Sequence, residues 1–202
     1  MWTICHFGLH CALFFERVYI SETRLPDLLC VFILFRKIKN GGIEALNNET
    51  EFCIVEFTLC NISRYLLWCT DDIDYFLTDN DKKLVYFPQK EKMEEYCKKW
   101  HYQNPSFVSN NFDIMDYHNC NDYLDKWNNI EDLSKTLNID FIGNHDDHTY
   151  LYSKFVYGSN LPALNTSGKK YIPNFDEEEK QQIENVTNDM IRILKFALEI
   201  DD

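Results

Sequence analysis

The segment from Asp176 to Leu198 dictates a long amphipathic helix, and any fold for this chain must bury one side of it. Asp176 and Glu179 have the spacing of a capping box, in which each side chain satisfies the other's backbone N–H. Glu177 and Glu178 add negative charge where the helix dipole favours it. Ile183, Val186, Met190, Ile193, Leu194 and Ala197 fall on one stripe at helical spacing, while Lys180, Glu184, Asn188 and Lys195 face water. The stripe is core, so the remaining chain must supply the layer it packs on.

The text after Glu51 supplies strands. Phe52 to Leu59 is rich in β-formers, Tyr65 to Cys69 is a second apolar run, and Asp74 to Thr78 and Lys83 to Phe87 flank the turn-rich Asp79-Asn80-Asp81-Lys82. The pattern predicts a four-stranded antiparallel meander. Pro88 closes the last strand, and Met93, Tyr96, Cys97 and Trp100 then follow the i, i+3, i+4, i+7 rule of a helix that packs on the sheet. Beyond Pro105 the chain is rich in Asn and Asp, with short helices expected near Cys120 to Trp127 and Ile130 to Leu137. Strands first and helices after, with no internal repeat, predict a single two-layer α+β domain over residues 46–202.

The first 45 residues are different. They hold five bases and four acids, so residues 46–202 carry 29 acids against 15 bases. Two readings stay open for this segment: an ordinary N-terminal subdomain, or translated upstream sequence with Leu46 at the true start and no part in the native fold. No base precedes Glu16 and no small-residue cleavage site follows, so secretion is not expected and the expected location is the cytoplasm. The longest apolar run, Leu28 to Phe35, is far shorter than the roughly 20 residues a membrane helix needs.

Charge narrows the function classes. Thirty-three acids against 20 bases give a net charge of −13, which opposes a phosphate backbone and argues against nucleic acid as a direct partner. The same charge would steer the protein toward a basic partner and speed the encounter, and it is equally an ordinary solubility device. The eight cysteines show no CxxC pair or zinc-type spacing with histidine and read as reduced core thiols. No Gly-rich phosphate loop and no G-x-S-x-G elbow occurs, so neither nucleotide binding nor serine-nucleophile catalysis is argued, and no cofactor is expected.

Two acidic clusters carry whatever chemistry the sequence offers. His145, Asp146, Asp147 and His148 combine imidazole and carboxylate donors that suit a divalent metal. That is the basis of one alternative, a metal-dependent hydrolase. The spacing differs from the helical His-Glu-x-x-His site, and the favoured reading is a solvated loop capping a helix. Asp71, Asp72, Asp79 and Asp81 resemble a calcium loop only superficially, lacking its central Gly and terminal Glu, and read as exposed strand-end acids. In the aromatic stretch Tyr150 to Ala163, Leu151, Phe155 and Leu161 are assigned to the core, leaving Tyr152 or Tyr157 for an exposed contact.

The hairpin Asp74 to Phe87, its following helix, the run Lys154-Phe155-Val156-Tyr157-Gly158-Ser159-Asn160-Leu161-Pro162-Ala163 and the capped terminal helix together resemble small bacterial immunity proteins of polymorphic toxin systems, including contact-dependent growth inhibition. The resemblance is one of layout and covers residues 51–198. It implies a cytoplasmic, non-catalytic protein that binds one cognate toxin domain, often a nuclease. No family residue transfers, so the contact candidates come from exposure and charge: Asp71, Asp72, Asp79, Asp81, Asp146, Asp147 and Tyr152. A non-catalytic regulatory subunit with another partner is a further alternative.

Overall fold

A computed structural model describes residues 50–70, 73–162, 164–165 and 168–200 of the chain. The expectations for residues 1–45, and for Asp71 and Asp72, lie outside the described residues. Within the unit Glu51–Asp202, β1 (Glu51–Leu59) and β2 (Ile62–Thr70) form a full antiparallel ladder, with Glu51 opposite Thr70 and Leu59 opposite Ile62. The two-residue turn between them, Cys60 and Asn61, has positive φ at both positions (53° and 58°), as a type I′ hairpin requires. Neither residue is glycine. The Asp113 carboxylate supports the turn, accepting the N–H of Cys60 at 2.6 Å and that of Asn61 at 2.9 Å.

Two short strands share one edge of β2. β3 (Tyr75–Phe76) lies opposite Trp68 and Cys69, and β4 (Tyr86–Phe87) opposite Tyr65 and Leu66. They are arms of an excursion closed by a Thr78–Leu84 bridge, set end to end along β2 rather than side by side as a meander would have them. On the other side β5 (Ser106–Asn111) runs parallel to β1, Cys53 opposite Ser106 and Thr58 opposite Asn111. The sheet is therefore mixed, in the order β3-β2-β1-β5, and includes a strand where the sequence reads as loop.

β1 and β2 bury both faces, which gives three layers where two were expected. Val55, Phe57, Leu59, Leu66 and Trp68 enter the main core with α2 (Cys120–Leu137), α3 (Thr149–Gly158) and α4 (Glu177–Leu198). Ile54, Leu67 and Cys69 belong to a second core with Met93 and Cys97 of α1 (Lys90–Lys99). Trp100 is not part of that stripe; it is the C-cap of α1 and 56% exposed. The fold class is α+β, with a long C-terminal helix as the sequence requires.

α2 is one helix rather than two. The Asn128-Asn129 pair between the two expected helices lies within it: Asn129 donates its side-chain N–H to the Asp125 carbonyl, and Asn128 accepts the Tyr152 hydroxyl at 2.8 Å. α4 carries the complete capping box, Glu179 N–H to Asp176 at 2.9 Å and Asp176 N–H to Glu179 at 2.8 Å, and its six stripe residues are all buried. Of the described cysteines, Cys53, Cys69, Cys97 and Cys120 are buried thiols and Cys60 is exposed. Among the described residues no helix is long and apolar enough to cross a membrane.

Sheet and α2 are also tied by a polar contact, the Trp68 indole N–H donating to Asp132 at 3.2 Å. Burial pushes the Asp132 carboxyl up to about 7, against the weaker pull of nearby Lys135. A carboxyl raised in the folded state holds a proton that the unfolded chain releases near its ordinary value of about 4, so this site's contribution to stability falls as pH rises from about 4 to about 7. Asp132→Asn keeps an acceptor for Trp68 and removes the charge. Urea denaturation is expected to show the variant gaining stability over the parent across that window, with the gain levelling off above it; a constant difference at all pH values would contradict this assignment.

Candidate functional site

α2 ends at Asn138, which takes a left-handed φ of 55° while its N–H bonds to the Lys135 carbonyl and that of Ile139 to the Ser134 carbonyl. This Schellman closure turns the chain sharply at the helix end. Phe141 then folds inward against Trp127, ring edge to face at 6.0 Å. Gly143 follows at a position where a Cβ would sit 2.5 Å from Phe141 Cζ and 3.0 Å from Trp127 Cε2, so only hydrogen fits.

The C-terminal helix holds the other side of this loop. Asp189 accepts the Ile142 N–H at 3.0 Å through one oxygen and Arg192 Nε at 2.7 Å through the other. Arg192 also donates to the Asp140 carbonyl at 3.0 Å. With the aromatic anchor below and the Asp189–Arg192 clamp beside it, the stretch from Ile139 to Gly143 is fixed from two directions.

Two short 3₁₀ turns, Ile142–Asn144 and Asp146–His148, carry the histidine cluster into α3. His145 is exposed, with Nε2 at 3.0 and 3.2 Å from the two Asp140 oxygens. That hydrogen bond is the main cause of a raised His145 pKa, with the charges of Asp140, Asp147 and Asp189 adding to it. His148 is instead buried, and its Nδ1 lies 2.9 Å from Asp147. It occupies the N-cap of α3 without making a side-chain cap bond. The two imidazoles are therefore engaged by different carboxylates, and among the described residues no three His, Cys, Asp or Glu side chains are gathered to hold a metal ion.

The loop's outer surface is acidic. Asp140, Asp146 and Asp147 are exposed, and His145 is the imidazole set among them. An open groove of about 440 Å³ runs beside them, lined by Ser134, Lys135 and Asn138 from the end of α2 and by Asp140, Phe141 and Asn144. Lys135 in its wall is ion-paired to Glu131 at 2.6 Å.

The other candidates lie apart from this loop. Asp79 is exposed but occupied as a turn residue, its Oδ1 accepting the N–H groups of Asp81 and Lys83 at 2.8 and 2.9 Å. Asp81 is exposed at the same turn. Among the described residues no hydrogen bond or ion pair joins that turn to the His145 loop. Tyr152 is half-buried, its hydroxyl on Asn128 and its ring edge-on to Trp127 at 5.4 Å, so its accessible area is small for an anchor. Leu151 and Phe155 are core as expected, whereas Leu161 is only half-buried.

Asp140, Asp189 and Arg192 belong to the site although no motif marks them. The only local signal is the i, i+3 spacing of Asp189 and Arg192 on a helix already identified. The raised His145 pKa has a direct check. In an NMR titration His145 is expected to titrate above the usual histidine value, and Asp140→Asn to bring it down. The pair's stabilising contribution is present below the unfolded histidine pKa and is lost as pH rises through the folded one. An unchanged His145 titration in the variant would contradict the pairing.

Comparison of the chain with protein-family models, with curated proteins and with solved structures finds no match.

Proposed function

We propose that this chain is a non-catalytic binding protein that neutralises a basic toxin domain in the bacterial cytoplasm, in the manner of the immunity proteins its sequence resembles. The observation that carries the reading is the acidic loop: Asp140 exposed on a stretch held by Phe141, Gly143, Asp189 and Arg192, with Asp146 and Asp147 exposed on the turn that follows it. Carboxylates on a pre-set backbone meet a cationic surface with little ordering cost, so more of the interaction survives as affinity. Like the net charge of −13, they steer a basic partner inward and raise the association rate. Exposed carboxylates also offer negative charge of the kind a nuclease binds in its substrate's phosphates, which suits the inhibition of a nuclease.

The hydrolase reading draws no comparable support, because His145 and His148 engage Asp140 and Asp147 separately and do not converge on a common point. A regulatory subunit would share the loop chemistry and differ only in its partner. Co-expression separates them. The product of the gene immediately upstream is expected to arrest growth when made alone, and to be held in a stable complex with restored growth when made with this chain. A harmless neighbour that does not bind would overturn the proposal.

A further inference from the structure

The two edges of the sheet are finished differently. Along β2 the edge is taken up by β3 and β4, strands of two residues each, which is one of the ways proteins blunt an edge. The opposite edge is β5, six residues reading Ser-Phe-Val-Ser-Asn-Asn, with no charge and no proline inside it. Its partner on one side is β1; on the other side no described strand pairs with it. About half of its N–H and C=O groups therefore point outward without a ladder partner. Asn110 in this strand is 2% exposed, yet its Nδ2 has no hydrogen-bond partner among the described residues.

We infer that β5 is the contact edge of a symmetric dimer, pairing antiparallel with β5 of a second copy. The strand is complementary to itself. Phe107 and Ser109 lie on the α1 face of the sheet: Lys90 Nζ sits 3.8 Å from the Phe107 ring centroid, and Ser109 donates to Glu56 at 2.7 Å. Val108 lies on the opposite face with the main core. A two-fold axis through Val108 keeps the faces in register, because directly opposed residues in an antiparallel pair share a face. Phe107 then stands opposite Ser109 of the second copy, which brings the Lys90 ammonium of each molecule toward the Glu56–Ser109 pair of the other. Ser106 stands opposite Asn110 on the main-core face of the sheet. This charge complementarity across the axis, a cation of each copy facing a carboxylate of the other, is what selects a second copy as the occupant.

One strand pair buries roughly 1,000 Å² or less, the low end for specific interfaces, so the dimer is weak and forms in the micromolar to millimolar range. Sedimentation equilibrium of the full chain, combined with amide hydrogen exchange at low and high protein concentration, tests this. The expected result is a monomer–dimer equilibrium in which amides of residues 106–111 exchange more slowly as concentration rises. Lys90→Glu, at the half-buried first position of α1, is expected to weaken the dimer about tenfold by replacing two weak attractions with repulsions. A monomer throughout that range overturns the inference, as does a dimer whose β5 amides exchange at the monomer rate. A dimer of unchanged strength in the Lys90 variant overturns the proposed register.

Discussion

The indole of Trp127 is the point on which the folded unit depends. It is 1% exposed, and around it stand Tyr123, Phe141, Tyr152 and Phe155, with ring centroids 5.4 to 6.2 Å away and mostly edge-on. These rings come from α2, from the loop after it and from α3, so one side chain gathers three consecutive parts of the chain. Truncating a buried tryptophan to alanine typically costs about 3–5 kcal/mol, a large share of the roughly 5–15 kcal/mol that holds a domain together. Gly143 belongs to the same contact. Its missing side chain lets the loop lie against Phe141 and the indole, so the packing of the core sets where the acidic surface stands.

The helices were legible because their signals are local. The capping box and apolar stripe of α4 sit within a few turns of each other, and nothing tertiary competes with them. The sequence reads as two short helices over what is one; the asparagines between them are held within the helix, one bonding back along it and the other accepting the Tyr152 hydroxyl. β5 was invisible for a related reason. Serine and asparagine are poor strand formers, and what recruits them is β1, more than forty residues earlier. The third layer could have been suspected, since Ile54 and Leu67 fall off the period-two pattern that a one-sided strand would keep. Of the site, the sequence showed the histidines and the acids between them. It could not show that Asp140 pairs with His145, nor that Asp189 and Arg192, over forty residues downstream, hold the loop.

Charge is handled differently inside and outside. Lys126 is 1% exposed on α2, and its ammonium is satisfied by the Ile114 carbonyl at 2.6 Å and by Asp122 at 2.7 Å. Both contacts are needed, since a buried cation with only one would carry a desolvation cost of several kcal/mol. The acids of the loop remain at the surface, where hydration supports them. Among them His145 acts as a variable counter-charge: protonated, it offsets part of the negative field of Asp140 and Asp147, and above its raised pKa the loop becomes fully acidic.

The claim that this fixed acidic loop is the binding surface is tested most directly by association kinetics. The measurement is the on-rate for the basic partner domain as a function of ionic strength, for the parent and for a variant with Asp140, Asp146 and Asp147 all changed to Asn. The expected result is a steep fall of the parent's on-rate with salt and a slower, much flatter on-rate for the variant, with dissociation altered less. Identical salt dependence in the two proteins would contradict the account and move the contact to another surface of the fold.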